Sequence, residues 1–404
     1  MRILGRLTLL AVISQIPPLA AEVHFGASVS VTGKPKMGVF HHLDSSGRRN
    51  IALSAENIAV AWEDNRDGVP RIYLASKPLA ERAFGAEHLI SGKDESYEPA
   101  VVGIGNGRFV VVWEEAGSVF ARVAGIDKPG PTLRLSRGRA SQVTVNGQQE
   151  QVFAAWSEKR GDYPAIYSSQ LKIQGTEQLT ATAPVAVDAQ LPGAPQLYPA
   201  LAVSDAGVAI AWEDRRAGHT RLLYSHSADG RQFSPPAHLN EFYSNRDAYD
   251  RGNGVARVSL AAFGSADVLA TWMDKRRNHR GYSIYSALGS DGGRDYGPNE
   301  RVQSDAGDEL PHYNPTAAGN LSGLFLVAWD DYRNGTSDIW LSGYDDDMNW
   351  GKDLAPPPAS GAGEQSNPAL ILDEQGGLHL VWVEYPEPGS PTQIRYLTGH
   401  WNDD

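Results

Sequence analysis

Short apolar runs, each ending in tryptophan and each followed by a polar turn, recur along the whole chain. The clearest copy spans residues 208–225. There Val-Ala-Ile-Ala-Trp212 leads into an acid–basic–glycine turn, and a second run follows from Arg221 to Ser225. The pattern predicts a β-hairpin with its turn at Gly218. Equivalent hairpins surround Trp62, Trp156, Trp272 and Trp329, with weaker copies at Trp113 and Trp382. These seven tryptophans lie 51, 43, 56, 60, 57 and 53 residues apart. Units of that size cannot bury a core alone, so the chain reads as a repeat protein.

Two further strands per unit are legible. Glu98-Pro-Ala-Val-Val, Tyr198-Pro-Ala-Leu-Ala, Asn314-Pro-Thr-Ala-Ala and Asn367-Pro-Ala-Leu-Ile precede their hairpins. Each is expected to open a strand on proline, where no ladder bond is lost. Residues 50–53, 142–145 and 257–261 are the equivalents without proline, and their small side chains suit a crowded centre. After the first hairpin, residues 84–92 (FGAEHLISG) match residues 25–33 (FGASVSVTG) at Phe, Gly, Ala and the final Gly. Similar outer strands follow later hairpins, but the last hairpin has none. A ring closed by the N-terminal strand explains both the extra copy and the missing one, and it leaves no exposed sheet edge. The prediction is all-β: a seven-bladed β-propeller with four-stranded blades, its N-terminal strand completing the C-terminal blade. No segment demands a long helix; residues 79–88 suit a short one.

Composition narrows the setting. A hydrophobic content of 41%, with 42 Gly and 25 Pro, fits a globular strand-and-turn protein. The net charge of −12 argues against nucleic acid or an anionic membrane surface as partner. Arg2 and Arg6 precede a short apolar run and small residues, so residues 1–21 read as a signal peptide cleaved before Glu22. Residues 22–404 then form one propeller domain, expected to be a monomer that is periplasmic or secreted. No stretch is long and apolar enough for a membrane anchor. The absence of cysteine excludes disulfides, a lipid-anchor thiol and thiolate metal sites.

Residues 289–296, Gly-Ser-Asp-Gly-Gly-Arg-Asp-Tyr, are similar to the Asp box, S-x-D-x-G-x-x-W. Residues 227–233 are a copy one residue short, and 345–350 a degenerate one. The chain therefore resembles the sialidase-like BNR/Asp-box propeller superfamily over nearly all of residues 25–401. That superfamily includes glycoside hydrolases, lectins and non-catalytic binding proteins, so the resemblance implies a fold more sharply than an activity. Sialidases of this type have six blades and an Arg-Ile-Pro signature. Here Pro70-Arg71-Ile72-Tyr73 lies inside a hairpin strand, and no sialidase catalytic residue is carried over.

One rule sorts the polar residues: what recurs in every blade is expected to be architectural, and what is singular is a functional candidate. Two positions after each tryptophan stands an acid: Asp64, Glu115, Glu158, Asp214, Asp274, Asp331 and Glu384. Arg66, Arg160, Arg216, Arg276 and Arg333 follow two positions later. Turn-capping Asp–Arg pairs account for these better than a ring of cation or acid–base sites. The tryptophans are expected to wedge between blades. Singular features concentrate on one face, across blades four to six. There Tyr243, Arg246, Asp247, Tyr249, Asp250 and Arg251 occupy a long connection, Arg276, Arg277 and His279 a basic turn, and His312 and Tyr313 the start of blade six. Fork-shaped donors and aromatic faces suit a polar or anionic sugar.

The first functional expectation is non-catalytic recognition of a glycan or an extracytoplasmic protein. The alternative is a glycoside hydrolase or lyase using Asp247 or Asp250 with Asp308 or Glu309, and a third reading is an assembly factor. No cofactor is required. His41-His42 near Met37 would place neighbouring imidazoles on opposite strand faces. Asp345-Asp346-Asp347 could hold Ca²⁺, but an Asp-box turn accounts for it as well.

Overall fold

All seven tryptophan hairpins are present, arranged as a closed ring, in the computed structural model. The structure describes residues 23–125, 128–148, 151–190, 193–241, 254–276, 281–304, 310–344, 349–387 and 389–401. Blade four shows the plan. From the centre outward it runs Gln196–Ser204, Gly207–Asp214, Arg221–Ser227 and Ala237–His238, each antiparallel to the next. Blade six has three strands, with the bridges Leu341↔Leu354 and Tyr344↔Trp350 standing for its outer strand. Val23–Phe25 and Val29–Ser30 both pair with the last strand, Gln393–Trp401, so the N-terminus closes blade seven. No helix among the described residues is long and apolar enough to cross a membrane. Residues 79–88 form turns rather than the short helix expected of them: Leu79 N–H bonds Glu56 O at 2.7 Å and Gly85 N–H bonds Ser76 O at 2.9 Å.

The core is distributed between blades. Seven apolar clusters each unite two adjacent blades, and each holds one hairpin tryptophan. Trp62, for example, packs with Val381 and Tyr396 of blade seven, and Trp329 with Ala261 and Leu269 of blade five. All seven indoles are fully buried. Each indole N–H also donates to the acid two residues on, from 2.7 Å at Glu158 to 3.3 Å at Asp214. Wedge and acceptor thus share one strand face, because residues two apart point the same way.

The prolines do not open the inner strands. Those strands begin earlier, at Ser96, Gln196, His312 and Glu364, and each proline sits at a β-bulge inside its strand. The bulge interrupts the ladder where proline has no N–H to give. The same register shift occurs without proline in blades three and five. One residue per bulge is left-handed: Glu98, Gln142, Tyr198, Arg257, Asn314 and Asn367, with φ between 47° and 58°.

Blade one replaces the bulge with an insertion. Its inner strand is split into His41–His42 and Ile51–Ser54, both paired to Asn57–Asp64, and the 3₁₀ turn Ser46–Arg48 lies between the halves. This turn enters the ring's centre and touches distant blades. Ser46 Oγ donates to Pro199 O at 2.7 Å, and Gly47 O accepts from Ser259 Oγ at 3.1 Å. The Arg48 guanidinium donates to the side-chain oxygens of Asn314 and Asn367. Gly47 has φ +71°, and a Cβ there would lie 3.3 Å from the Ala200 backbone, so glycine is what lets the plug fit.

Candidate functional site

The bulges aim their left-handed residues at the axis of the ring. Arg257 of blade five stacks over Tyr198 of blade four at 4.1 Å, and Tyr198 N–H donates to Gln142 Oε1 at 3.0 Å. Glu98 of blade two lies within the fields of Arg257 and of Arg48. Side chains from opposite sides of the ring therefore meet above the plug, at the mouth of the channel.

A second set reaches the mouth from the residue immediately after the tryptophan. Alternation turns that residue to the strand face opposite the indole. It is acidic in four blades: Glu63, Glu114, Glu213 and Asp330. Each accepts the N–H of the next blade's left-handed residue. Arg257 N lies 2.9 Å from Glu213 and Asn367 N 2.8 Å from Asp330, and Gln142 N–H and Glu98 N–H are held by Glu114 and Glu63.

These carboxyls titrate high. Burial, with Asp44 and Glu98 nearby, pushes Glu63 up to about 7. Burial pushes Asp330 up to about 7 against the pull of Arg48. Burial and then the neighbouring Glu98 carry Glu114 well above the carboxylate range. Glu98 itself is raised by burial despite Arg257 and Arg48. Its Oε2 is buried and has no hydrogen-bond partner among the described residues. Such groups can hold a proton near neutrality, which is what a general acid requires.

Tyrosines surround the acids. Tyr313 packs edge-on against Tyr282 at 6.0 Å and Tyr332 at 5.7 Å, and Lys275 Nζ sits 4.6 Å over Tyr282. Tyr385 feels Asp44, Glu364 and Asp330, and Tyr97 stands exposed beside Glu95. Aromatic faces beside polar acceptors are the usual means of holding a pyranose ring. A cleft of 790 Å³ runs from Glu114 outward between blades two and three, lined by Asp94, Glu95, Tyr97, Arg139 and Lys159 among others.

The candidates read from sequence divide. Tyr243, Arg246, Asp247, Tyr249, Asp250, Arg251, Arg277 and His279 lie outside the described residues, as do Asp308, Glu309 and residues 345–347. Tyr313 belongs to the tyrosine arc. Arg276 is held in the repeated ring, bonding Asp274 at 2.9 Å and Asn299 at 2.8 Å while stacking over Tyr285 at 4.4 Å. His312 is fully buried, with Nδ1 3.1 Å from Tyr282 O and Nε2 3.3 Å from Asp331. His41 is buried against Thr392 Oγ1 at 3.0 Å while His42 faces outward. The mouth acids were missed, although one signal existed. Among the four residues that precede an inner-strand proline, Glu98 is the only acid.

The chain matches no family profile, and no curated protein matches it in sequence. Among solved structures it is similar to a protein of unknown function from Dyadobacter fermentans. That match has 12% identity and a TM-score of 0.58, covering 94% of this chain and 99% of that one. It is also similar to the polysaccharide lyase Uly1, at 9% identity and a TM-score of 0.54, covering 89% of this chain and 90% of that one. An α-L-arabinanase from Penicillium chrysogenum, complexed with arabinobiose, aligns at 13% identity and a TM-score of 0.49, over 74% of this chain and 92% of that one. Likeness at such identities is one of fold. It supports the propeller fold.

Proposed function

We propose that the channel mouth binds a polar glycan and acts on it by acid–base chemistry, as a glycoside hydrolase or lyase, after export and removal of residues 1–21. The observation that carries this reading is Glu98: a buried carboxyl with an unpartnered oxygen, set among carboxyls of raised pKa inside a tyrosine arc. Protonated Glu98 would give its proton to the departing glycosidic oxygen. Glu63 or Glu114, once ionised, would take the balancing proton. In a hydrolase that proton comes from the water that attacks the anomeric carbon, and in a lyase from the sugar carbon beside the carboxylate. Arg48 and Arg257 would favour the carboxylate that Glu98 becomes after the transfer. The tyrosines would position the sugar rings. The Asp-box turns belong to the same reading: Asp229 Oδ1 accepts Arg231 N–H at 2.9 Å, as a BNR-type repeat requires.

A second reading, glycan recognition without turnover, is favoured by a different observation. Glu63, Glu114, Glu213 and Asp330 all bond the next blade's backbone, as an architectural residue would. One experiment separates the two. The purified chain and its Glu98→Gln variant are offered a panel of neutral and uronate-containing polysaccharides. New reducing ends and the ultraviolet absorbance of unsaturated uronate are followed beside calorimetric binding. Catalysis predicts that Glu98→Gln lowers turnover by at least about 100-fold and keeps its glycan. A variant with wild-type turnover would remove Glu98 from the chemistry. Binding with no turnover on any polysaccharide would favour recognition.

A further inference from the structure

The cleft that leaves the mouth between blades two and three carries its charge unevenly. On the blade-two side, Glu115 and Glu95 already accept hydrogen bonds. Glu115 accepts Trp113 Nε1–H at 2.9 Å and Gly92 N–H at 2.8 Å, and Glu95 accepts the Tyr97 hydroxyl at 2.7 Å. The blade-three side presents Arg139 and Lys159. These two are direct cross-strand partners on antiparallel strands, so their side chains leave the same face side by side. Both are exposed, and neither side chain has a hydrogen bond or ion pair among the described residues.

Like charges placed directly opposite one another are destabilising, and a strand pair normally avoids them. Among the described residues, none of the acids across the cleft forms an ion pair with either cation. The position is also singular. Arg139 stands three residues before a left-handed bulge residue, where the other blades with that bulge carry Glu95, Pro195, Gly254, Pro311 and Glu364. A chain of net charge −12 thus concentrates two free cations at one end of a cleft that begins at its acidic mouth.

We infer that Arg139 and Lys159 form a seat for the anionic substituent of an extended glycan, a uronate carboxylate or a sulfate ester, whose neighbouring residue lies at the mouth. This rests on the carbohydrate reading of the mouth and specifies the substrate class. Arg139 supplies a planar two-donor fork and Lys159 a point charge, which together match the oxygens of either anion. Tyr97, an exposed residue of the cleft lining, offers a ring face to the sugar. Asp94 and Glu95 on the other wall can accept sugar hydroxyls. The anion is therefore held on the cationic wall alone, away from the acids.

The test uses the full chain, an Arg139→Gln/Lys159→Gln double variant, the two single variants and Glu98→Gln. Oligogalacturonate, dextran sulfate and unmodified dextran are titrated calorimetrically at low and at moderate salt. The wild-type protein and Glu98→Gln are expected to bind one polyanion with equal, salt-sensitive affinity. The double variant should bind it at least about tenfold more weakly, and each single variant should fall between. Preference for oligogalacturonate identifies a uronate, and preference for dextran sulfate identifies a sulfate ester. Without ligand, the double variant should melt at or above the wild-type temperature, since the substitutions remove a repulsion. Equal polyanion affinity in wild type and double variant would overturn the seat. So would a lower ligand-free melting temperature, which would reveal structural partners for the two cations. If the wild type binds no polyanion but turns over a neutral glycan through Glu98, the seat falls and the mouth stands. If Glu98→Gln matches wild-type turnover while the double variant loses the polyanion, the reverse holds.

Discussion

In blades four and six the acid two positions after the tryptophan and the acid one position after it sit side by side on one strand, yet they titrate in opposite directions. Asp331 is the first kind. Burial works against its charge, but His312, Arg333 and the Trp329 indole hold its carboxyl well below the usual range. Asp330, one residue earlier, is the second kind, and burial pushes it up to about 7. Alternation along the strand sends Asp331 to a turn rich in donors and Asp330 to the channel mouth, where Asp44 adds another negative field. Asp214 and Glu158 repeat the first behaviour: Arg216 and Arg160 overcome burial and lower both. Glu63 and Glu114 repeat the second. One set of carboxylates is thus saturated with donors and serves the fold. The other is held in tension and has protons to exchange.

The largest expected break in this contrast comes from deleting each kind in turn. Asp331→Ala would strip the acceptor from the Trp329 indole and from the Arg333 backbone and guanidinium N–H groups together, and leave a largely buried guanidinium with Asp353 alone of its two carboxylate partners. The expected loss is about 2–4 kcal/mol, read from urea unfolding. Glu63→Gln keeps an oxygen for the Glu98 N–H and removes a carboxyl that burial disfavours, so its effect should stay within about 0.5 kcal/mol. Equal losses at the two sites would mean that the mouth acids are as structural as the ring acids.

Next in size is the pH dependence of stability. Glu63 and Asp330 have folded-state values of about 7 against ordinary values of 4.5 and 3.8. Between those limits the folded chain binds more protons than the unfolded chain, so stability falls as pH rises toward 7. For Asp331, Asp214 and Glu158 the sign reverses: their contribution is complete above the ordinary carboxylate range and is lost as pH falls through their lowered folded values. Melting temperature should therefore pass through a maximum on the acidic side of neutrality. Glu63→Gln should flatten the alkaline limb and leave the acid limb in place. A variant with an unaltered alkaline limb would place the proton uptake elsewhere.

The fold was legible because its signals repeat. Seven tryptophans at similar spacing, with an unclaimed outer strand at the N-terminus and a missing one after the last hairpin, suffice for a closed seven-bladed ring. The site was less legible because its geometry comes from departures that carry no periodic signature. The plug is three residues of 3₁₀ turn inside a split strand, and in sequence Ser46-Gly-Arg48 reads as an ordinary loop. The bulges turn Glu98 and Arg257 inward through left-handed backbone that hydrophobic patterning does not report. Sorting residues into repeated and singular worked for the ring and drew attention to blades four to six. It passed over the residue before each proline, where Glu98 was visible as the odd member. Arg276 looked singular within a basic turn, but its position two residues after Asp274 belonged to the repeat, and the structure places it there.

A smaller loss than that of Asp331→Ala is expected from the ring arginines, where the acid already has other donors. Arg160 donates to Glu158 at 2.7 Å and lies 3.8 Å over the Tyr167 ring, with about a quarter of its side chain exposed. Glu158 also accepts from the Trp156 indole at 2.7 Å and from Gly138 N–H at 2.6 Å. Removing Arg160 therefore leaves the carboxylate partly satisfied, unlike removing Asp331, which orphans several donors at once. Arg160→Ala should cost about 1 kcal/mol, the scale of a half-exposed cation–π contact with a screened ion pair. The two contributions can be separated. Arg160→Lys keeps the charge and loses the planar stack, so a stability close to that of Arg160→Ala would assign the effect to stacking. A stability close to wild type, falling at high salt, would assign it to the ion pair. Blade four supplies an internal control, because Arg216 has Leu223 where blade three has Tyr167, and its alanine variant should respond to salt alone.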